Sequence, residues 1–115
     1  MSDKGGEGEE LACEYLQEKG FIIIERNFRY RRGEIDIIAA DAETLIFIEV
    51  KTWSSFGIES LEYAIDYKKK HKIIKTSKYF LSLHRKYSYM AIRFDVIFVS
   101  PKGITHLASA FTEGV

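Results

Sequence analysis

The sequence contains a single cysteine, Cys13, and lacks the run of about 18 apolar residues that a membrane-spanning helix needs. One thiol excludes an intramolecular disulfide. Since the N-terminus also shows no secretory signal pattern, we expect a protein of the reducing cytoplasm with no membrane association. Cys13 lies within an apolar helical stretch, which predicts a small buried residue and not a nucleophile.

Several signatures of catalysis are also missing. The chain has no Gly-rich phosphate loop, no serine-nucleophile elbow and no pair of cysteines. His71, His84 and His106 are scattered along the chain without metal-ligand spacing, so we expect surface or packing roles for all three. The formal net charge is zero, which argues against a protein that simply coats nucleic acid.

The 115 residues suffice for one domain (1–115) with a real hydrophobic core, and the glycine-rich, polar residues 1–6 are expected to fray. The charges are unevenly spread, because an acidic first stretch is followed by two basic clusters. These clusters consist of Arg26, Arg29, Arg31 and Arg32, and of Lys68, Lys69, Lys70, Lys72 and Lys75. An acidic pocket with basic flanks suits an enzyme that holds a metal and receives a polyanion.

Residues 34–51 predict a β-hairpin that carries acidic side chains. Two β-branched apolar runs flank a short polar interruption, and a two-residue loop at its centre sets the register of the strands. This register places Asp36 directly opposite Glu49, and Glu34 directly opposite Lys51. The predicted register depends on the assumed two-residue loop, because one inserted residue would move the charged residues of the two strands to opposite faces of the sheet.

Strand alternation predicts that these four charged residues share one face of the hairpin. The opposite face takes Ile35, Ile37, Ile46, Ile48 and Val50. Directly opposed residues have Cβ atoms about 5 Å apart, and like charges there are destabilising. The two carboxylates therefore call for a cation between them, and a hard divalent metal takes such oxygen ligands. The alternative is ordinary solvated charge near strand ends.

The rest of the chain predicts alternating helices and strands. In order, we expect a helix over 7–19, a strand over 21–28, a basic turn over 29–33, one broken helix or two helices over 59–86, a strand over 90–100 and a short edge strand over 104–107. The basic turn contains Tyr30 and is typical either of phosphate contact with base stacking or of a solvated hairpin tip. The lysine run is predicted either to bind nucleic acid or to form a solvated helix face. Trp53 and Phe56, just beyond the hairpin, are predicted either to pack against the protein or to contact a substrate.

The acidic pair and the lysine beside it suit metal-assisted hydrolysis of phosphodiesters. Asp36 and Glu49 are the candidate ligands, and the backbone carbonyl of Val50 is placed to complete the shell. Metal ions held in this way generate a nucleophile near neutral pH and stabilise charge on the leaving oxygen. Lys51 is the candidate for orienting or deprotonating the attacking water. Glu9, in the first turns of the first helix, complements the helix dipole but need not point away from the packed side.

Two motifs, Gly33-Glu34-Ile35-Asp36 and Glu49-Val50-Lys51, resemble the PD-(D/E)xK restriction-endonuclease-like superfamily. Within it the chain resembles the YraN family of bacterial proteins, which is distantly similar to archaeal Holliday-junction resolvases. The resemblance extends over nearly the whole chain. Its other residues are Gly5-Gly6-Glu7-Gly8-Glu9, Ala12, Tyr15-Leu16, Gly20, Asn27, Phe47-Ile48, Phe56-Gly57, Lys69, Tyr79, Leu81, Arg93-Phe94-Asp95-Val96 and Ala110-Phe111.

The resemblance implies a three-layer α/β/α fold with a mixed central sheet in the order αβββαβ. It also implies that Glu9 belongs to the site as a catalytic residue and metal ligand. The implied metal is Mg²⁺, with Mn²⁺ as a substitute, and the implied partner is DNA. No small-molecule cofactor is expected, and the protein is either a monomer or a homodimer. One position departs from the family pattern, because Trp53 stands where the family has an arginine, and this puts one phosphate contact in doubt.

Three functional hypotheses follow for the chain. The first is a Mg²⁺-dependent DNA endonuclease or resolvase that acts on branched or damaged DNA. The second is a non-catalytic nucleic-acid-binding module on the same fold. The third is an interaction protein whose acidic pocket is structural, which the basic clusters disfavour.

Overall fold

The fold was analysed in a computed structural model, which describes residues 4–52 and 65–114. Its elements are α1 (Lys4–Glu18), β1 (Ile22–Tyr30), β2 (Gly33–Asp41), β3 (Thr44–Thr52), α2 (Tyr67–Leu83), β4 (Ala91–Ser100) and β5 (Gly103–Phe111), with a 3₁₀ turn at Arg85–Tyr87 after α2. Neither helix is long and apolar enough to cross a membrane.

The five strands form one mixed sheet in the order β1-β2-β3-β4-β5, with β3 and β4 parallel and the other neighbours antiparallel. Each helix covers one face. Cluster A, on the α1 face, contains Ala12, Cys13, Leu16, Ile37, Ala39, Ile46, Ile48, Ile97 and Val99. Cluster B, on the α2 face, includes Phe28, Ile35, Ile38, Leu45, Phe47, Ile73, Phe80, Val96 and Phe98. This arrangement confirms the expected three-layer α/β/α fold.

The hairpin register predicted from the sequence is confirmed. Backbone pairing runs from Asp41–Thr44 to Ile37–Ile48, and the loop between the strands has two residues. One predicted face is wrong, because Ile35 packs in cluster B whereas Ile37 packs in cluster A. The change of face coincides with a left-handed residue in β1, because Asn27 (φ of 54°) lies between Arg26 and Phe28, the partners of Ile37 and Ile35.

Three element boundaries differ from expectation. α1 begins at Lys4, before the predicted start. α2 begins at Tyr67, where Asp66, with its extended backbone (ψ of 179°), caps it, so the predicted stretch 59–86 holds a helix that starts after a cap, and residues 59–64 lie outside the described residues. β5 is longer than the expected short edge strand and reaches Phe111. The expectations for Trp53 and Phe56 lie outside the described residues.

A buried carboxylate explains why β5 continues so far. Asp95 is fully buried and receives two hydrogen bonds from Arg93 (Nε to Oδ1 2.9 Å, Nη2 to Oδ2 2.8 Å) and one from the Ser109 amide. His106 Nε2 lies 2.7 Å from Oδ2, and its Nδ1 lies 3.0 Å from the Tyr15 hydroxyl, which links β5 to α1. Burial by itself raises the pKa of Asp95, but hydrogen bonds from His106 and Arg93 outweigh it and lower the pKa.

Candidate metal centre and basic groove

The ends of β2 and β3 line a cavity of about 430 Å³ beneath the first turns of α2. Asp36 and Glu49 both line it, so the two carboxylates lie on the same side of the sheet, as the register predicts. The complete lining consists of Arg32, Gly33, Glu34, Asp36, Glu49, Asp66, Lys68, Lys69, Lys72 and Ile73. We call this space the acidic cavity, because the two strand carboxylates line it.

The side chain of Asp36 accepts a hydrogen bond from a backbone amide of β3 just beyond the last backbone pair of β2 and β3. Its Oδ2 accepts a hydrogen bond of 2.8 Å from the Val50 amide, one step beyond the Ile37–Ile48 pair. Burial, followed by the negative charge of Glu49, raises the pKa of Asp36 to about 8. Without a metal ion, the site therefore disfavours the simultaneous ionisation of both carboxylates. This is the repulsion between Asp36 and Glu49 that the hairpin register predicts.

Glu49 is neutralised by two lysines. Its side chain is only 6% exposed, and Oε2 lies 2.8 Å from Lys69 Nζ and 3.7 Å from Lys51 Nζ. The structure therefore places Lys51 beside the carboxylates, as the sequence predicted. Burial, followed by the neighbouring Lys69 ammonium, lowers the pKa of Lys51. For Lys69 the sequence suggested either nucleic-acid binding or a solvated helix face, because no spacing rule connects it with Glu49.

Glu9 approaches the site through an asparagine. Asn27 Nδ2 donates to Glu9 Oε1 (3.0 Å) and to Glu34 Oε2 (3.2 Å), and both charges contribute to the raised pKa of Asp36. Glu9 thus points toward the sheet from α1, with a side chain that is 17% exposed. Glu34 also forms an ion pair of 3.4 Å with Arg29. Asn27 was not singled out for this role, although its left-handed backbone suits asparagine better than most residues.

The donor set fits a magnesium ion that keeps part of its water shell. Within residues 4–52 and 65–114, no three or more His, Cys, Asp and Glu side chains are grouped so as to hold a metal ion. Magnesium, however, is commonly bound through one or two carboxylates, with waters and substrate phosphates as its other ligands. Asp36 and Glu49 are of this type, and the roles of Glu9 and of the Val50 carbonyl stay predictions.

Two glycines of the family motifs bring the helices close to the site strands. A Cβ at Gly8 of α1 would collide with the Thr52 hydroxyl at the end of β3. A Cβ at Gly33 would collide with the Thr76 hydroxyl and approach the Lys72 carbonyl of α2 to 3.0 Å. Each glycine therefore sets the distance of one helix from the strands that carry the carboxylates.

We expect Gly33→Ala to lower the free energy of unfolding by about 1–3 kcal/mol, the usual cost of overpacking a close contact. The reason is the collision with Thr76 and the Lys72 backbone, which must shift α2 away from β2. Chemical denaturation measures the effect. The double variant Gly33→Ala/Thr76→Ala removes the nearer obstacle and should recover part of the loss. An equal cost with and without the Thr76 hydroxyl would contradict this contact.

A basic surface adjoins the acidic cavity, formed by the β1–β2 turn and α2. Arg32 and Lys72 line the acidic cavity and two neighbouring depressions, which also include Arg31, Lys68 and Lys75. We call the surface formed by Arg31, Arg32, Lys68, Lys72 and Lys75 the basic groove. The structure thus brings the second half of the arginine cluster and the lysine cluster together.

Tyr30 holds the β1–β2 turn against α2. Its ring stacks on Tyr79 with centroids 4.0 Å apart and planes inclined by 16°, and the Arg31 guanidinium lies 5.1 Å from the ring centroid. Since Tyr79 occupies one face of the ring, we assign Tyr30 a packing role before a base-stacking role. The turn is therefore more than a solvated tip, because it fixes the arginines beside the groove.

The other two arginines of the cluster have different neighbours. Arg26 forms an ion pair of 2.9 Å with Glu10 and one of 3.9 Å with Glu9, both on α1. The hydrogen bond to Glu10 raises the pKa of Arg26. Arg29 forms an ion pair with Glu34 and is 74% exposed. Arg26 thus ties β1 to α1, whereas Arg29 contacts Glu34, which lines the acidic cavity.

Comparison with known proteins gives consistent matches along the chain. A family model described as uncharacterised protein family UPF0102 matches residues 8–99. A UPF0102 protein of Persephonella marina is 47% identical over 108 residues, which cover 94% of this chain and 92% of the relative. One from Treponema denticola is 43% identical over 127 residues, with 98% of each covered, and one from Thermodesulfovibrio yellowstonii is 43% identical over 107 residues, with 93% and 94% covered.

Proposed function

The chain belongs to the YraN family, described as uncharacterised protein family UPF0102, and from the site that it carries we propose that it is a metal-dependent DNA nuclease. One observation carries this proposal. Asp36 and Glu49 line a cavity whose rim continues into the basic groove, and Lys51 Nζ lies 3.7 Å from Glu49 Oε2. A polyanion in the groove would present a phosphate to two carboxylates and a lysine, which is the composition that metal-assisted phosphodiester hydrolysis requires.

Each site residue has a distinct role in the proposed reaction. Asp36 and Glu49 would hold the ion, and Glu9 reaches the same region through Asn27. When bound, Mg²⁺ would polarise the phosphate and lower the pKa of a coordinated water. Lys51, held beside Glu49, orients the attacking water or accepts its proton at Nζ and offsets the negative charge that develops on the phosphorus oxygens.

The basic groove supplies the affinity for DNA. Arg31, Arg32, Lys68, Lys72 and Lys75 present cationic groups that can neutralise phosphates without reading base sequence. Such a surface suits recognition of DNA shape, and branched or damaged DNA is the substrate that we propose. We place the reaction in the cytoplasm, where Cys13 stays reduced; it is 5% exposed, and burial raises the pKa of its thiol.

The second candidate is a nucleic-acid-binding module without turnover. One observation favours it, because Lys69 already neutralises Glu49 at 2.8 Å. A protein that had exchanged its metal for an internal ammonium would keep the fold, the groove and the affinity for DNA. It would bind DNA equally well with and without divalent ions.

One assay separates these candidates. Branched and linear DNA are incubated with the full chain in Mg²⁺, Mn²⁺ or EDTA, and both binding and cleavage are measured. We expect cleavage that depends on the divalent ion and disappears in EDTA and in the Asp36→Asn/Glu49→Gln variant. Binding without cleavage under every condition would support the module, and the absence of both would exclude the two.

Neutralising the basic groove should change how DNA binding depends on salt. We expect Lys72→Gln and Lys75→Gln each to reduce the slope of log K against log[salt] by about one, because each substitution removes one phosphate contact. Fluorescence anisotropy over a range of salt concentrations measures the slope. Lys86→Gln is the control, since Lys86 lies in the 3₁₀ turn beyond the C-terminus of α2. If the salt slopes of the Lys72→Gln and Lys75→Gln variants equal that of Lys86→Gln, the basic groove does not contact phosphates and is only a solvated surface.

A further inference from the structure

Lys69 reaches the acidic cavity from a different element than the other site residues. It lies in the first turn of α2, and its Nζ approaches Glu49 Oε2 to 2.8 Å. Its own amide donates to the capping carboxylate Asp66 Oδ1 at 2.9 Å, which fixes the backbone at this position. The helix cap therefore holds the lysine stem over the cavity independently of the ammonium group.

The same Glu49 oxygen would be an obvious ligand for a divalent cation. Magnesium binds carboxylate oxygen at about 2.0–2.1 Å and demands near-ideal octahedral geometry. An ammonium that shares this oxygen would lie within a few ångströms of the ion, where like charges repel strongly. Occupation of Glu49 by a metal and by Lys69 is therefore mutually unfavourable.

The two lysines at Glu49 differ in their freedom to leave. The Lys69 side chain is 43% exposed, whereas the Lys51 side chain is 27% exposed and its ammonium is already 3.7 Å from the oxygen. A lysine stem has four rotatable carbons, so the Lys69 head can swing out while its backbone stays capped. Lys68, Lys72 and Arg32, at the rim of the cavity, mark the place where phosphates would arrive.

We propose that Lys69 is the resident counter-ion of Glu49 in the metal-free protein, that a metal ion displaces its ammonium, and that the released ammonium then binds a DNA phosphate. This inference rests on the proposed nuclease function. It makes Lys69 a coupling residue, because metal loading would create a phosphate contact that the metal-free protein lacks. Metal and DNA would then each increase the affinity for the other, as reciprocal linkage requires.

Titration of the full chain with Mn²⁺ in the absence of DNA tests the first step. We expect Lys69→Met to bind Mn²⁺ about fivefold more tightly than the parent, the size of effect expected when a partly exposed ion pair no longer competes. Methionine keeps most of the stem, and the cap uses only the backbone amide of Lys69. Lys68→Met is the matched control, because it removes the same charge from the lining of the same cavity.

DNA binding by the same variants tests the second step. Without metal, Lys69→Met should leave the salt slope of DNA binding unchanged. With Mn²⁺, the slope should fall by about one relative to the parent. A gain in Mn²⁺ affinity no larger than that of Lys68→Met, or an equal change of slope with and without Mn²⁺, would overturn the inference while leaving the nuclease proposal intact. A parent protein that binds no Mn²⁺ would overturn both.

Discussion

Replacement of Lys51 by alanine should reduce the turnover of DNA cleavage by about 10²–10⁴-fold, the range typical of groups that transfer or orient a proton in the transition state. Lys51 Nζ lies 3.7 Å from Glu49 Oε2, beside the proposed metal ligands without being one of them. A group with this role determines the barrier after the ion is in place. Metal binding and DNA binding should therefore stay close to those of the parent.

Three measurements on the same Lys51→Ala protein separate the possible effects. Single-turnover cleavage gives the chemical step, Mn²⁺ titration gives metal occupancy, and anisotropy gives DNA affinity. Lys86→Ala serves as the control for the loss of a surface lysine, since it lies beyond the far end of α2. An unchanged turnover would exclude Lys51 from the reaction. Loss of Mn²⁺ affinity equal to the loss of turnover would make it a structural support for the metal site.

Replacement of Asp36 by asparagine should weaken metal binding while stabilising the metal-free fold. A ligand determines whether the ion is present, so the variant should need a much higher Mg²⁺ concentration for any residual cleavage. Asparagine retains a side-chain oxygen that can accept the hydrogen bond of 2.8 Å from the Val50 amide. The local link between β2 and β3 should therefore survive the substitution.

The stability effect of Asp36 follows from the direction of its pKa shift. The pKa is raised from 3.8 to about 8, so between these values the folded state holds a proton that the unfolded chain has lost. The free energy of unfolding of the metal-free parent should therefore fall as the pH rises from about 4 to about 8. The penalty is roughly a few kcal/mol, at about 1.4 kcal/mol per pKa unit.

Thermal or urea unfolding in EDTA at pH 5 and pH 8 measures this difference. Asp36→Asn lacks the titrating group, so its stability should exceed that of the parent and change less over this pH range. Asp41→Asn is the control, because Asp41 is exposed at the other end of the same strand. A metal-free Asp36→Asn protein less stable than the parent at pH 8 would show a structural Asp36 and remove the central residue of the nuclease proposal.

The local part of the site could be read from the sequence. Strand alternation and a short loop are short-range constraints, and they fixed the Asp36–Glu49 opposition and the position of Lys51 beside it. Hydrophobic periodicity, which is equally local, gave the order of helices and strands. Strand alternation failed for Ile35, which packs on the α2 face opposite a part of β1 where the backbone of Asn27 is left-handed.

The sequence by itself determined which strands carry the carboxylates, because a side-chain period of two and a two-residue loop act within a single hairpin. Only the tertiary structure decided that Lys69 neutralises Glu49, that Asn27 joins Glu9 to Glu34, and that Arg26 turns away to α1. The physical reason is that the rotation of each helix is set by burial of its apolar side against the sheet. Charges brought together by that packing lie far apart along the chain, and no local pattern relates them.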